Sequence, residues 1–368
     1  MKRFYQVSTP WLGKVEKKYV NIALKNNEIS GFFGRYIPEF EKKFSKFCKS
    51  KYAVTVSSGT TALHLALVSL GIKKGDEVIV STLTNMASIF AILYIGAKPI
   101  PIDIGDDTFN LDVNLIEKKI TKKTKAILVV HLFGHPADMD TILKLSKKYN
   151  LKIIEDCAEA HGATYNGKIV GSIGDAGCFS FYANKIITTG EGGMVTFNSK
   201  KFAQKAKNLK ELAFGKENKF MHSDIGYNYR MTNLQAALGC AQMLKIESII
   251  SKKIQMAKLY EKYLKKNRLI KLPITKKNIK NVYWMYCITI PSFNSLKIER
   301  LMKKLLLKGI QTRKMFIPYN LQKFIKKEKN NNCPKANKIA FNSFYLPSGV
   351  DLKDKDIRHI SDCLNKMI

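Results

Sequence analysis

The chain has 368 residues, 45% hydrophobic and 25% charged, which suits a globular protein with a sizeable core and about two ordinary domains. Its net charge of +34 comes from lysine doublets spread over many amphipathic segments, such as "EKKFSKF" and "LMKKLLLKG"; these read as solvated helix faces, so no nucleic-acid partner is expected. No window holds the roughly 18 consecutive apolar residues of a membrane span, and "MKRFYQVSTPWLGKVEKKY" turns polar too soon for a secretion signal, so no membrane partner and a cytoplasmic location are expected.

From about residue 51, short apolar runs alternate with longer helical patterns. "YAVTV" leads into "SSGTTALHLALVSLGI", "DEVIVST" into "MASIFAILYIGA", and "KPIPIDI" into a polar helix at "DVNLIEKKI". "KAILVVHLF", the helix "DMDTILKLSKKY" and "LKIIED" continue the rhythm. Continuously apolar strands, each followed by a helix, predict an α/β sheet covered on both faces. After "IGDAGCFSFY" and "GGMVTF" the rhythm changes to one long helix over about 233–266. "VYWMYCITI", the helix "KIERLMKKLLLKG", "IQTRKMFIP" and a last helix at "DKDIRHISDCLNKMI" follow. The division expected is a large α/β domain with its N-terminal segment over 1–240. The long connecting helix and a smaller α+β domain then fill 241–368.

Three stretches could carry chemistry. In "VTVSSGTTALHLAL" a strand ends at Val56 and a helix begins at once; its free N–H groups, with Gly59 and the Thr60 hydroxyl, suit an anion. A plain serine N-cap is the alternative reading. No GxxxxGK[ST] loop is present and no GxGxxG follows the first strand, so nucleotide hydrolysis and dinucleotide binding lose their usual support. In "LKIIEDCAEAHGA", Asp156 falls at the carboxyl end of an apolar strand, where open α/β sheets place ligands. Glu159 and His161 follow closely and could face the same cleft. In "FSFYANKIITTGEGGMVT", Lys185 lies between an aromatic run and a glycine-rich turn. An amine in water-poor surroundings has a lowered pKa and suits Schiff-base chemistry. An anion cradle, a strand-end acid and a cleft lysine together are what pyridoxal 5'-phosphate (PLP) requires, with pyridoxamine phosphate as its amino form. No metal is expected: the seven cysteines are scattered without a CxxC, and His131 and His135 fall at a strand end and in a turn.

The stretches "SSGTTALHLAL", "IIEDCAEAHGATYNGKIVGSIGDAGCFSFYANKIITTGEGGMV", "GYNYRMTNLQAALG" and "FYLPSG" resemble the DegT/DnrJ/EryC1/StrS family of nucleotide-sugar aminotransferases over nearly the whole chain. The resemblance implies the fold-type I α/β architecture of PLP-dependent aminotransferases, with a large mixed-sheet domain and a smaller α+β C-terminal domain. It implies that Lys185 binds the cofactor, Asp156 partners the pyridine nitrogen and Glu159 lies near the 3-hydroxyl. Gly59, Thr60 and Ser180 match phosphate contacts, and Asn228 matches an asparagine that the other subunit of a homodimer donates to the phosphate. At Asn85 the family usually has an aromatic residue that stacks on the cofactor ring. Ser30, His161, Arg230 and Arg313 are candidate substrate contacts, the two arginines because guanidinium suits a diphosphate. "YWMY" at 283–286 is read as core. "NKIITTGEGGM" with "YNYRMTNLQAA" most resembles members that convert GDP-4-keto-6-deoxymannose to GDP-perosamine. The expected reaction is therefore amino transfer from L-glutamate to C4 of that nucleotide sugar. The rivals are the same chemistry on a UDP- or dTDP-linked sugar, amination at C3, and a polyanion-binding protein on an aminotransferase fold.

Overall fold

A computed structural model describes residues 3–215, 217–325 and 332–368. Two amphipathic helices come first, α1 (Lys14–Lys25) and α2 (Tyr36–Cys48). Strand–helix pairs follow: β1 (Tyr52–Val56) with α3 (Gly59–Ser69), and β2 (Glu77–Ser81) with α4 (Met86–Tyr94). β3 (Lys98–Ile102) precedes β4 (Thr124–Val130), α5 (Met139–Tyr149) and β5 (Lys152–Asp156). The short β6 (Thr164–Tyr165) and β7 (Lys168–Ile169) lead to β8 (Ala176–Ser180), β9 (Gly193–Phe197) and α6 (Lys200–Leu209).

The main sheet has the order β1-β9-β8-β5-β4-β2-β3. β9 runs antiparallel to both its neighbours while β8, β5, β4, β2 and β3 pair in parallel. Every strand but β9 therefore points its carboxyl end to one edge. The strands are apolar almost throughout because both faces are covered. On one face Leu63 and Leu67 of α3 and Phe40 and Phe44 of α2 pack with Val54, Phe179 and Phe197. On the other, Met139 and Ile142 of α5 cover Ile79, Ile127 and Ile153.

Helices α7 (Asn233–Met243) and α8 (Ile246–Leu264) replace the single helix expected over 233–266. The break falls at Lys245, whose backbone leaves the helical region (φ −126°, ψ 11°). Its ammonium donates to the Trp11 carbonyl at 2.6 Å and pairs with Glu16, while Gln242 reaches the same two groups. A tie to the N-terminal segment thus wins over helix continuity. The polar helix expected at "DVNLIEKKI" is also absent; two 3₁₀ turns, Val113–Leu115 and Glu117–Lys119, stand there. That segment is pinned before it by the Ile104–Leu111 bridge and after it by Thr121 bonding Thr124.

The rest of the chain adds β10 (Ile279–Lys280), which joins β6 and β7 in a small sheet, then β11 (Tyr286–Thr289) and α9 (Ser295–Leu307). After β12 (Arg313–Lys314) come α10 (Pro334–Asn342), β13 (Ser343–Leu346) and α11 (Asp354–Asn365). β11, β13 and β12 form an antiparallel sheet. Tyr286, Ile288, Phe344 and Leu346 of that sheet share a core with Tyr260 of α8, Leu301 of α9 and Ile360 of α11. Among the described residues no helix is long and apolar enough to cross a membrane.

Candidate active site

The common carboxyl edge of the main sheet is where an open α/β fold binds ligands. A cleft of about 300 Å³ lies there. Gly59, Thr60, Asn85, Asp156, Glu159, Ser180, Lys185 and Arg313 all line it, joined by Ser58, Thr84, Tyr182, Asn184, Glu191, Trp284, Phe316 and Tyr345. A roomier cleft of about 480 Å³, beside Asp106, Asp112, Asp138 and Lys276, takes in none of the residues around Lys185.

Lys185 follows β8 in a turn closed by its own N–H donating to the Tyr182 carbonyl at 2.9 Å. Its side chain is only 10% exposed, and Nζ lies 3.8 Å from Glu159 Oε1 and 4.0 Å from the centroid of the Trp284 ring. Burial pulls the ammonium below the usual lysine range, against the opposing attraction of Glu159 and Asp156. Glu159 shows the reverse. Burial raises its carboxyl to about 7, while Lys185 and the Phe133 N–H, which donates to Oε2 at 2.8 Å, pull it down. Asp156 ends β5, accepts from Ser88 Oγ at 2.8 Å and from the Ala158 N–H at 3.1 Å, and burial raises its pKa. These contacts and Lys185 favour the carboxylate, so the acid is held at the strand end as a ready charge partner.

At the other end of the cleft, Ser58 caps α3 by accepting from the Thr61 N–H. Nothing among the described residues accepts from the N–H groups of Gly59 and Thr60. They leave an anion-binding helix end open to the cleft. Gly59 lies so close to β8 that a Cβ there would sit 2.7 Å from Ser180 Cβ. The serine cap and the anion cradle are thus compatible: Ser58 takes one donor and leaves two.

Asn85 is the N-cap of α4, its side chain accepting from the Ala87 N–H at 3.0 Å. Asparagine suits that place for a helical reason that an aromatic residue could not supply. Four candidates stand outside the cleft. His161 is wholly buried among Phe44, Phe179 and Phe181, and both ring nitrogens lack partners, which corrects its expected approach to substrate. Burial, then Lys185, drives its pKa down to about 3. Ser30 bonds the Phe32 N–H, and Arg230 lays its guanidinium 4.4 Å from the Phe32 ring, so both belong to a neighbouring surface. Asn228 is exposed, bridged to Glu211, and likewise off this cleft.

Trp284 is the residue that the reading of "YWMY" as core missed. It is buried, yet its face covers the lysine amine. Ser88, three residues into the α4 helix region and bonded to Asp156, carried no motif signal of its own. His131, Glu155 and Cys157 come together, but Glu155 already accepts from three backbone N–H groups and faces His131 at 3.1 Å. That arrangement reads as a satisfied buried carboxylate.

Residues 10–365 match the DegT/DnrJ/EryC1/StrS aminotransferase family. The chain is 43% identical to a GDP-perosamine synthase of Escherichia coli O157:H7, covering 99% of this chain and 98% of that protein. It is 39% identical to a GDP-perosamine synthase of Caulobacter vibrioides, covering 98% of each. A sugar aminotransferase structure from Streptococcus pneumoniae in its PMP form superposes with a TM-score of 0.93 at 27% identity, over 99% of this chain and 98% of that one. The chain belongs to the DegT/DnrJ/EryC1/StrS aminotransferase family.

Proposed function

We propose that this aminotransferase carries an amino group from L-glutamate to C4 of GDP-4-keto-6-deoxymannose, yielding GDP-perosamine. The observation that carries the reading is a buried amine and a buried strand-end carboxylate facing one cleft whose far end is an open anion cradle. Similarity to GDP-perosamine synthases over the full chain supports the GDP-linked substrate.

The residues present fit pyridoxal phosphate: Gly59, Thr60 and Ser180 would hold its phosphate, Asp156 its ring nitrogen and Glu159 its 3-oxygen. When bound, the group supplies an electron sink for the α-carbon of the donor. The chain supplies the proton handling. Because burial lowers the Lys185 pKa, its free amine accepts the proton from the α-carbon of glutamate and later delivers one to C4 of the sugar. Asp156, whose carboxylate form Ser88 and the Ala158 N–H favour against the cost of burial, would hold positive charge at the ring nitrogen. Arg313, the guanidinium on the cleft wall, suits a carboxylate or diphosphate of the incoming substrate. The protein acts as a homodimer in this reading, with Asn228, exposed and off its own cleft, completing the partner's phosphate site.

Lys185→Ala tests the reading. The variant loses detectable glutamate-dependent turnover of the nucleotide sugar while keeping its melting temperature within a few degrees. Turnover at more than about a hundredth of the parent rate contradicts it.

A further inference from the structure

The aromatic wall opposite Glu159 has no role in the chemistry above. Trp284 touches the lysine-bearing turn twice. Its indole N–H donates to the Asn184 carbonyl at 2.8 Å, immediately before Lys185, and its ring face lies 4.0 Å from the Lys185 amine. It also connects to the carboxylate beside that amine: its backbone N–H donates to the Phe133 carbonyl at 2.9 Å, and the Phe133 N–H holds Glu159 Oε2. Behind it stands Lys253 of α8, 2% exposed, donating to the carbonyls of Trp284, at 2.9 Å, and Ser348. Among the described residues its hydrogen bonds go to those two carbonyls, and of the carboxylates Asp351 alone attracts it, from beyond contact, against the cost of burial. Ser348 in turn accepts from the Tyr286 N–H and donates to the Leu346 carbonyl, so Lys253 bolts the start of β11 to the end of β13.

We propose that Trp284 is the seat of the Lys185 amine during the reaction and that Lys253 is the positioning residue that holds this seat in place. The proposal rests on Lys185 as the reacting lysine. An ammonium over an indole face is attracted by the ring quadrupole. Once the amine has taken up its proton, the ammonium therefore has a fixed resting place beside the reacting atoms instead of swinging into solvent, and the indole N–H fixes the turn from which it extends. A buried lysine bound to two carbonyls is a costly way to join two strand ends; here it ties the backbone of Trp284 directly to α8.

The chain has two tryptophans, and Trp11 sits apart, against Lys245 and Lys252. In a Trp11→Phe full chain, stripped of cofactor, the emission reports Trp284 alone. Adding Lys185→Met is expected to change its intensity at least 1.5-fold; adding Lys253→Met instead is expected to abolish this response to the Lys185 change. Identical emission with and without the Lys185 amine, or an undiminished response in the Lys253→Met background, overturns the proposal. Should Lys253→Met fail to fold, Trp284→Phe decides. It is expected to lower kcat at least tenfold with the sugar KM within threefold, and kcat within twofold of the parent overturns the proposal. The emission measurements need neither cofactor nor sugar, so a wrong substrate assignment leaves them readable.

Discussion

Replacing Gly59 by alanine tests the anion cradle through its geometry. Gly59 is not among the glycines with positive φ, so alanine brings no backbone strain and the whole effect is steric. The new methyl would lie 2.7 Å from Ser180 Cβ and 3.1 Å from its hydroxyl, against an ordinary contact distance of about 3.5–4 Å between carbons. Ser180 cannot retreat, because β8 is locked between β5 and β9. The N-terminus of α3 must move instead, taking the Gly59 and Thr60 N–H groups with it. Overpacking of this kind costs about 1–3 kcal/mol, which is roughly a 5- to 150-fold loss of pyridoxal phosphate affinity if it falls on the cradle. Absorbance titration of the cofactor-free chain measures this. In a Ser180→Gly background, where the obstructing side chain is gone, Gly59→Ala should weaken binding by less than twofold, a non-additivity expected of touching residues. Unchanged affinity in the single variant, or additive losses in the pair, would refute the reasoning.

Three further changes probe the titrating groups. The folded pKa of Glu159, about 7, lies above its ordinary value, so its contribution to stability is full below about pH 4.5 and is lost as the pH rises through 7. Glu159→Gln should thus match the parent in urea denaturation at about pH 4 and exceed it at pH 8 by up to roughly 3 kcal/mol; parallel pH curves would contradict the assignment. His161 has its folded pKa depressed to about 3, so the parent loses stability as the pH falls below about 6.5. His161→Phe should escape that loss and keep turnover within twofold, and a large drop in turnover would return His161 to the substrate site. Ser88→Ala removes the hydroxyl that favours the Asp156 carboxylate, so the acid limb of the kcat profile should move up by about one pH unit; a stationary limb would sink that link.

Asp156 was legible because it closes an apolar strand with a residue that such a strand cannot otherwise accommodate, Lys185 because it stands between an aromatic run and a glycine-rich turn, and Gly59 because it opens a helix directly after a strand. Arg313, a candidate on its guanidinium alone, lines the cleft, while Trp284, just before β11, and Tyr345 of β13 reach it from far along the chain. Nothing local marks Trp284 or Tyr345, since their approach is decided by how the small antiparallel sheet docks. His161 misleads because it follows Glu159 by two residues, yet a turn lies between them and turns its ring into the phenylalanine cluster. Asn85 looked like a defect in a stacking position, while its hydrogen bond to Ala87 shows a helix cap. The helix break at Lys245 depends on Trp11 and Glu16, more than 200 residues away in sequence, and no periodicity within 233–266 announces it.

Release of 2-oxoglutarate from L-glutamate, measured with pyridoxal phosphate and matched GDP-, UDP- and dTDP-linked 4-keto-6-deoxy sugars, tests the central claim most directly. The account predicts a kcat/KM at least tenfold higher for GDP-4-keto-6-deoxymannose than for either of the others, with the new amine at C4 of the product. A preference for a UDP- or dTDP-linked sugar, or an amine at C3, would contradict it.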